Sequence, residues 1–254
     1  MPNKNLRFLL SNLVLKDFRV RYRNMSLGIL WSLVNPLVMM LVLTFVFTKL
    51  YAGNPQKNFA VFVLCALVPF NFYTVGFASG TTSVLDNHSL VKRVRFPREI
   101  IPISTVLANC LHLLIQVALL IVFVLAFGYG VNRYWLLLPV VLALEVVFVC
   151  GLTLISSALD VYFRDVRYVV ESSNLVMFWL VPIFYSYAII PQKYAFIYQY
   201  NPVAAVVQAC RNILMEAAAP PFPLLIKLCS VSVVVLALGL AVFGKLKRRF
   251  ADFV

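Results

Sequence analysis

The side chains best suited to enzymatic chemistry are few in this sequence of 254 residues. It has two histidines, His88 and His112, and five cysteines without a C-x-x-C spacing. Zinc sites and nucleophilic centres need such residues grouped at short, fixed spacings. We therefore predict no catalytic centre and no metal or cofactor bound by this chain. The cysteines fall mostly in apolar runs and are interpreted as small packing residues.

A second candidate for chemistry is the run 239–245, which spells G-x-x-x-x-G-K, the first part of a phosphate-binding loop. In that motif a Ser or Thr follows the lysine and binds magnesium, and a strand precedes the loop. Here Leu246 occupies the magnesium-binding position and no strand pattern precedes it. We predict that the match is accidental, so that any ATP used by this protein is bound by another chain.

Two ionisable residues, His112 and Glu145, lie inside long apolar runs. An ionised group facing lipid is costly, so both are expected to face the interior of a helical bundle. Hydrogen bonding within the bundle is the favoured interpretation of each. The alternatives are a proton relay for His112 and a coupling-ion site for Glu145.

The composition around these residues excludes a soluble globular protein. Hydrophobic residues make up 63% of the chain and charged residues 12%, whereas about a quarter of an ordinary soluble domain is charged. The mean hydropathy is +0.93. Long apolar stretches recur between Leu27 and Gly244, which is typical of an all-α polytopic membrane protein.

The apolar pattern predicts six transmembrane helices in a domain over 27–244. An amphipathic helix at the membrane surface is expected in the preceding segment 1–26, where apolar residues recur every three or four positions. Short re-entrant or interfacial helices are expected in the proline-rich segment 191–223, between the last two spans. The predicted spans are 27–50, 59–85, 100–129, 135–159, 172–190 and 224–244.

Positive charge is concentrated on one side of this predicted topology. Most of the 22 Lys and Arg residues lie in the segment 1–26, in the loops 86–99 and 160–171, and in the basic tail 245–254. By the positive-inside rule these parts and both termini are cytoplasmic, and 191–223 is outside. The net charge of +13 therefore has a topological explanation, and no nucleic-acid partner is expected.

Aromatic residues are concentrated in and after the second and fifth predicted spans. Such rings are typical of anchors at a membrane interface. They could also line a pore, because the apolar faces of sugar rings stack on aromatic side chains. The candidate channel residues are Phe70, Phe72, Tyr73, Phe77, Phe178, Trp179, Phe184, Tyr185 and Tyr187.

Several motifs together resemble a known family. The run LVKRVRFPREIIP at 90–102, with VPFNFY at 68–73, closely resembles the membrane subunits of ABC-2 polysaccharide exporters, which carry O-antigen, capsule-like polysaccharide or teichoic acid out of bacterial cells. Shorter landmarks of that family agree in order: Leu30-Trp31, Asn35-Pro36-Leu37, Arg164-Asp165-Val166, Pro182 to Tyr185, and Asn201-Pro202 with Arg211.

The resemblance implies a homodimer around a central channel in the bacterial cytoplasmic (inner) membrane, with two cytoplasmic ABC ATPase subunits that bind ATP and magnesium. The cargo would be a lipid-linked polysaccharide, as in lipopolysaccharide or teichoic acid biosynthesis. Membrane lipid is a further partner. Arg19, Arg21 and Arg23, just before the first span, are candidates to bind the lipid diphosphate, although they could instead bind anionic lipid.

The resemblance also implies how ATPase motion would reach this chain. The surface helix, about 6–22, would lie against the ATPase, and the first inner loop would form a coupling helix docked in an ATPase groove. The second loop would contribute less. Purely topological charge is the alternative interpretation. The coupling residues are Leu90, Lys92, Arg93, Arg95, Phe96, Pro97, Arg98, Glu99, Arg164 and Asp165.

Two other functions are compatible with the sequence. An ABC-2 drug or lipid exporter shares the architecture, although such subunits generally lack this Phe-Pro-Arg-Glu loop and surface helix. An ion-coupled secondary transporter, using Glu145 and His112, would work without an ATPase. A membrane-bound glycosyltransferase is disfavoured because the loops 86–99 and 160–171 are too short to build its site. We therefore expect a transport subunit and not an enzyme.

Overall fold

The computed structural model of the chain describes residues 2–22, 26, 28–50, 57–93, 96–194 and 200–250. Within these residues the regular elements are helices, and no strand is present. The predicted all-helical class is confirmed. The α-helices are α1 (Pro2–Tyr22), α2 (Trp31–Phe45), α3 (Phe59–Asp86), α4 (His88–Arg93), α5 (Ile100–Ala126), α6 (Leu138–Asp160), α7 (Val166–Leu180), α8 (Pro202–Leu214) and α9 (Phe222–Leu246).

Five helical stretches among the described residues are long and apolar enough to cross a bilayer. The first combines a 3-10 turn, α2 and a short π-helical end. The stretches lie within a few residues of the predicted first, second, third, fourth and sixth spans. They are Gly28–Leu50, Phe59–Asp86, Ile100–Ala126, Arg133–Asp160 and Phe222–Leu246.

The fifth predicted span, 172–190, has the wrong boundaries. Its helix, α7, begins at Val166, inside the predicted loop 160–171, and ends at Leu180. A proline disfavours helical backbone at the residue before it, and Val181, before Pro182, is extended with φ −78° and ψ 133°. The chain from there to Ile190 is irregular apart from one 3-10 turn. The count of six spans therefore stays a prediction.

The proline-rich segment after α7 contains a short helix, as predicted. The side chain of Asn201 caps α8 by accepting hydrogen bonds from the backbone amides of Val203 and Ala204 at 3.0 and 3.3 Å. Most α8 side chains are buried, and the helix packs against α3, α6 and α9. Burial in protein is the condition under which a membrane tolerates such a short helix.

The helix α6 lies between α3 and α9, and glycines permit its close packing. A Cβ atom on Gly80 would lie 2.3 Å from Cγ2 of Thr153, and one on Gly151 would lie 2.6 Å from the backbone nitrogen of Leu236. A Cβ on Gly239 would lie 2.5 Å from the carbonyl oxygen of Gly151. Gly239 therefore serves helix packing, and the run 239–245 lies within the continuous helix α9.

One end of the bundle carries the loop after α3, the loop after α6 and the chain that follows α9. We call it the basic end, because Lys92, Arg98, Arg164 and Lys247 lie there. A small apolar cluster that includes Phe243 and Phe250 joins these segments. The N-terminal helix α1 packs against α5, so the predicted helix before the first span is present.

Candidate functional site

At the basic end, the two predicted inner loops are held together by residues 246–250, which we call the tail segment. The Arg98 guanidinium donates a hydrogen bond to the carbonyl oxygen of Lys247 at 2.8 Å. The Tyr162 hydroxyl donates to the carbonyl oxygen of Leu246 at 2.8 Å. Lys247 also pairs with the Glu99 carboxylate. Since Arg98 and Tyr162 belong to different loops, the tail segment links one loop to the other.

Apolar contacts support these polar ones. Phe250 is fully buried, and its ring meets the rings of Phe243 and Tyr162 edge-on at centroid distances of 5.3 and 6.1 Å. Val91 of α4 and Val161 after α6 belong to the same cluster. The two loops are therefore held in place by this buried apolar cluster.

The predicted coupling residues differ in accessibility. Leu90, Phe96, Arg98 and Glu99 are half-buried, and the last two are engaged by the tail segment. Arg95 and the side chain of Arg93 lie outside the described residues. The predicted coupling helix corresponds in part to the six-residue α4. The side chains that remain exposed are Lys92, Pro97, Arg164 and Asp165.

Most of the predicted channel aromatics form one contact network. The Phe178 ring lies 5.8 Å from that of Phe70 and 6.1 Å from that of Phe184, measured between centroids. Phe70 lies 6.1 Å from Tyr73, which lies 5.9 Å from Phe77. The network therefore connects α3 with α7 and the segment that follows it.

The exposure of these rings is uneven. Phe72 and Tyr73 are each 3% exposed, while Trp179 is 62% exposed. Trp179 stands edge-on to Phe178 and Phe184 at 5.6 and 5.5 Å. Tyr73 is thus a core residue of the single subunit, Phe72 is buried beside the cavity between α2, α3 and α5, and Trp179 lies at the surface of the network.

Two of the three predicted channel tyrosines, Tyr185 and Tyr187, use their hydroxyl groups in hydrogen bonds within the subunit. Tyr185 donates to the carbonyl oxygens of Trp179 and Leu180 at 3.0 and 3.3 Å, near the C-terminal end of α7. Tyr187 donates to the carbonyl oxygen of Ala204 in α8 at 2.9 Å. These hydrogen bonds attach the irregular segment after α7 to the end of α7 and to α8.

Three cavities that share lining residues lie between the basic end and this network. The first, of ≈ 350 Å³, lies between α1, α3 and α5. The second, of ≈ 230 Å³, lies between α2, α3 and α5. The third, of ≈ 190 Å³, includes Phe70 and Phe178. His112 lines the first two, while Asn35 and Asn71 line the second and third.

A polar face of α5 lines the first and second cavities, and the sequence analysis missed it. Its side chains are spaced by four, three and four residues, which places them on one face of a helix. Asn109 donates to the Ser79 hydroxyl at 2.9 Å, and Gln116 donates to the Ser32 carbonyl oxygen at 2.9 Å. That spacing within an apolar run was the available signal. The face consists of Thr105, Asn109, His112 and Gln116, all buried.

Both ionisable residues of the apolar runs are buried, as predicted: His112 is 8% exposed and Glu145 1%. The His112 ring lies 5.5 Å from the Phe18 ring of α1. Within the described residues neither carboxylate oxygen of Glu145 has a hydrogen-bond partner. The predicted bond from Glu145 to a neighbouring helix is therefore wrong for this part of the chain.

The three candidate diphosphate ligands are only partly described. Arg19 is exposed on α1. The side chain of Arg21 and the whole of Arg23 lie outside the described residues. The residues that the structure describes contain no group of three or more His, Cys, Asp or Glu that could hold a metal ion.

Long apolar helices, cavities between them and charged loops fixed at one end are typical of an α-helical membrane protein. The chain matches the ABC-2 type transporter family over residues 9–215. It belongs to that family, whose members are transport permeases and not enzymes.

Relatives of this chain are polysaccharide transporters by name. The O-antigen export system permease protein RfbA of Klebsiella pneumoniae is 32% identical over 98% of this chain and 97% of its own length. RfbA of Myxococcus xanthus is 30% identical over 98% and 96%. The polysialic acid transport protein KpsM of Escherichia coli is 24% identical over 91% and 90%.

Proposed function

We propose that this chain is the transmembrane subunit of an ATP-driven exporter that moves a lipid-linked polysaccharide, such as an O-antigen, across the bacterial cytoplasmic membrane. The observation that carries this proposal is the similarity to O-antigen export permeases along 98% of the chain. Two copies would form the channel. Two separate ATPase subunits would bind ATP and magnesium.

The charge distribution supports an orientation. Lys and Arg residues in short loops favour the cytoplasmic side, and they are concentrated at the basic end. We therefore assign the basic end and both termini to the cytoplasm. The proline-rich segment that includes α8 would face outwards.

The basic end suits a docking role for the ATPase. Lys92 and Arg164 are exposed cations on two different loops, and the tail segment holds those loops together. Because these loops are already held in place, pairing of their cations with acidic groups of a partner would require little further ordering of the backbone. A push on either loop would then move both, together with the ends of α3, α6 and α9.

The cavities and the aromatic network suit the cargo. A glycan needs hydrogen-bonding groups for its hydroxyls and flat apolar surfaces for its CH faces. The second and third cavities supply the former, and Phe70, Phe178 and Trp179 supply the latter. Arg19, Arg21 and Arg23 stay candidates for the lipid diphosphate.

The test is to purify the tagged chain in mild detergent, identify co-purifying proteins by mass spectrometry and assay ATP hydrolysis. We expect an ATPase subunit in equal amount, with a hydrolysis rate that a lipid-linked glycan alters. Stimulation by apolar drugs or phospholipid instead would favour the drug or lipid exporter. A chain that purifies alone and moves solute under an ion gradient would overturn the proposal and direct attention to Glu145 and His112.

A further inference from the structure

Two amide side chains, those of Asn35 and Asn71, lie where the second and third cavities meet. Each of them lines both cavities. Neither side chain has a hydrogen-bond partner in the part of the chain that the structure describes, whereas Asn109 and Gln116, which line the second cavity, are both bonded. The pair therefore differs from the other amides around it.

The depth of Asn71 makes its lack of a partner significant, while Asn35 is exposed at the surface of the single subunit. At 1.5 Å per residue, Asn71 lies about 18 Å from the Phe59 end of α3 and about 22 Å from its Asp86 end. Both distances place it within the hydrocarbon region of a bilayer about 30 Å thick. Amides at this depth are costly when unpaired, since lipid offers no hydrogen bond. A polar group that occupies the cavities would supply the missing bonds.

The lining of the two cavities selects among polar ligands. No Lys or Arg is among the described residues that line either of them, so a phosphate or carboxylate would find no cation there. An amide offers two N–H donors and a carbonyl acceptor, which match hydroxyl groups that both donate and accept. Aromatic rings flank the amides: Phe72 in the second cavity, and Phe70 and Phe178 in the third.

We propose that Asn35 and Asn71 bind hydroxyl groups of a pyranose unit of the glycan, while Phe72, Phe70 and Phe178 contact its apolar faces. This inference rests on the proposed function and specifies where, within one subunit, the sugar is recognised.

The decisive experiment is equilibrium binding of radiolabelled probes to the full-length chain in phospholipid nanodiscs. The probes are four polyprenyl diphosphates carrying glucose, galactose, mannose or N-acetylglucosamine, and the sugar-free polyprenyl diphosphate. The variants are the double substitution Asn35→Leu with Asn71→Leu, in which each residue keeps a similar size, and the control Asn174→Leu. Asn174 is an amide of α7 that donates to the Thr74 carbonyl oxygen and lines none of the three cavities.

We expect the wild-type chain to bind at least one glycosylated probe more tightly than the sugar-free one. The double variant should lose at least roughly tenfold of that preference, because one good hydrogen bond corresponds to about one power of ten in affinity. It should bind the sugar-free probe as the wild type does. Asn174→Leu should keep the sugar preference.

The outcomes separate this inference from the proposed function. If the wild-type chain prefers a glycosylated probe and the double variant keeps that preference, the amides hold only water and the inference is wrong. Equal loss of both probe types in the double variant, with an unchanged melting temperature, would show a site for the lipid diphosphate and would also overturn it. If the wild-type chain binds none of the five probes, the proposed function itself fails.

Discussion

Tyr73 and Trp179 belong to the same aromatic network but differ in what their removal would reveal. Tyr73 is 3% exposed, so its ring contributes to folding, and truncating such a residue to Ala costs about 3 to 5 kcal/mol. Trp179 is 62% exposed. Truncating Trp179 therefore tests the role of the exposed part of the network without creating a cavity in the core.

We expect Trp179→Ala to slow export severalfold while changing the free energy of unfolding by less than about 1 kcal/mol, because an exposed ring contributes little to packing. The measurements are export of the glycan from inverted vesicles and unfolding in detergent. Tyr73→Ala is the control, and it should lower the unfolding free energy by several times more. Normal export by Trp179→Ala would indicate that this ring is a membrane anchor.

At the scale of helices, the contact between α6 and α9 depends on Gly151. A Cβ atom there would meet the backbone of α9 at 2.6 Å, and backbone cannot rotate away as a side chain can. Gly244, on the same helix α9, has nothing within 4 Å of its would-be Cβ. The two glycines therefore provide a matched pair of positions.

We expect Gly151→Ala to lower the free energy of unfolding by about 1 to 3 kcal/mol, because the helices must move apart. Gly244→Ala should be neutral or stabilising by up to about 1 kcal/mol, since Ala favours helix over Gly. Thermal unfolding of both variants in the same detergent would check this. Equal stability of the two would mean that α6 and α9 are packed less closely than described.

The helices were predictable to different degrees, for physical reasons. Hydropathy and length locate the long spans, because a bilayer imposes both. The end of α7 was also signalled, since Pro182 follows Val181, but the apolar run beyond it concealed the break. The pairing of Arg98 with the Lys247 carbonyl was not predictable, because the two residues are 149 positions apart and no local pattern links them. The cavities beside Asn35 and Asn71 likewise arise from tertiary packing alone.

The tail segment gives a prediction at the same scale. Phe250→Ala should leave a cavity beneath both loops, destabilise this end by about 3 kcal/mol and raise the hydrogen exchange of residues 87–99. Arg248→Ala changes an exposed neighbour in the same segment and should leave that exchange unchanged. Hydrogen–deuterium exchange read by mass spectrometry distinguishes the two. An unchanged pattern in Phe250→Ala would contradict the link between tail and loops.

For the whole molecule, the two ends should differ in their response to charge reversal. Lys92 is exposed at the basic end, and Lys193 is exposed in the proline-rich segment proposed to lie outside. We expect Lys92→Glu to reduce the amount of co-purified ATPase by at least about fivefold, because one attraction becomes a repulsion. Raising the salt concentration should weaken ATPase binding by the wild-type chain.

Lys193→Glu is the control for this measurement, because it makes the same change of charge at the other end. It should leave ATPase recovery unchanged. If both variants recover the partner equally well, the basic end does not form the docking surface, and its charge serves only to orient the chain in the membrane.

The position of Phe250 also has a consequence for how the protein is made. The ribosome synthesises the chain from its N-terminus, so the loop 87–99 is complete long before Phe250 exists. Until α9 has been inserted and Phe250 has packed against Phe243 and Tyr162, the apolar cluster that holds both loops is incomplete. The proposed docking surface is therefore complete only after α9 has been made, and an ATPase that binds only the finished surface would not bind chains in which α9 has yet to be synthesised.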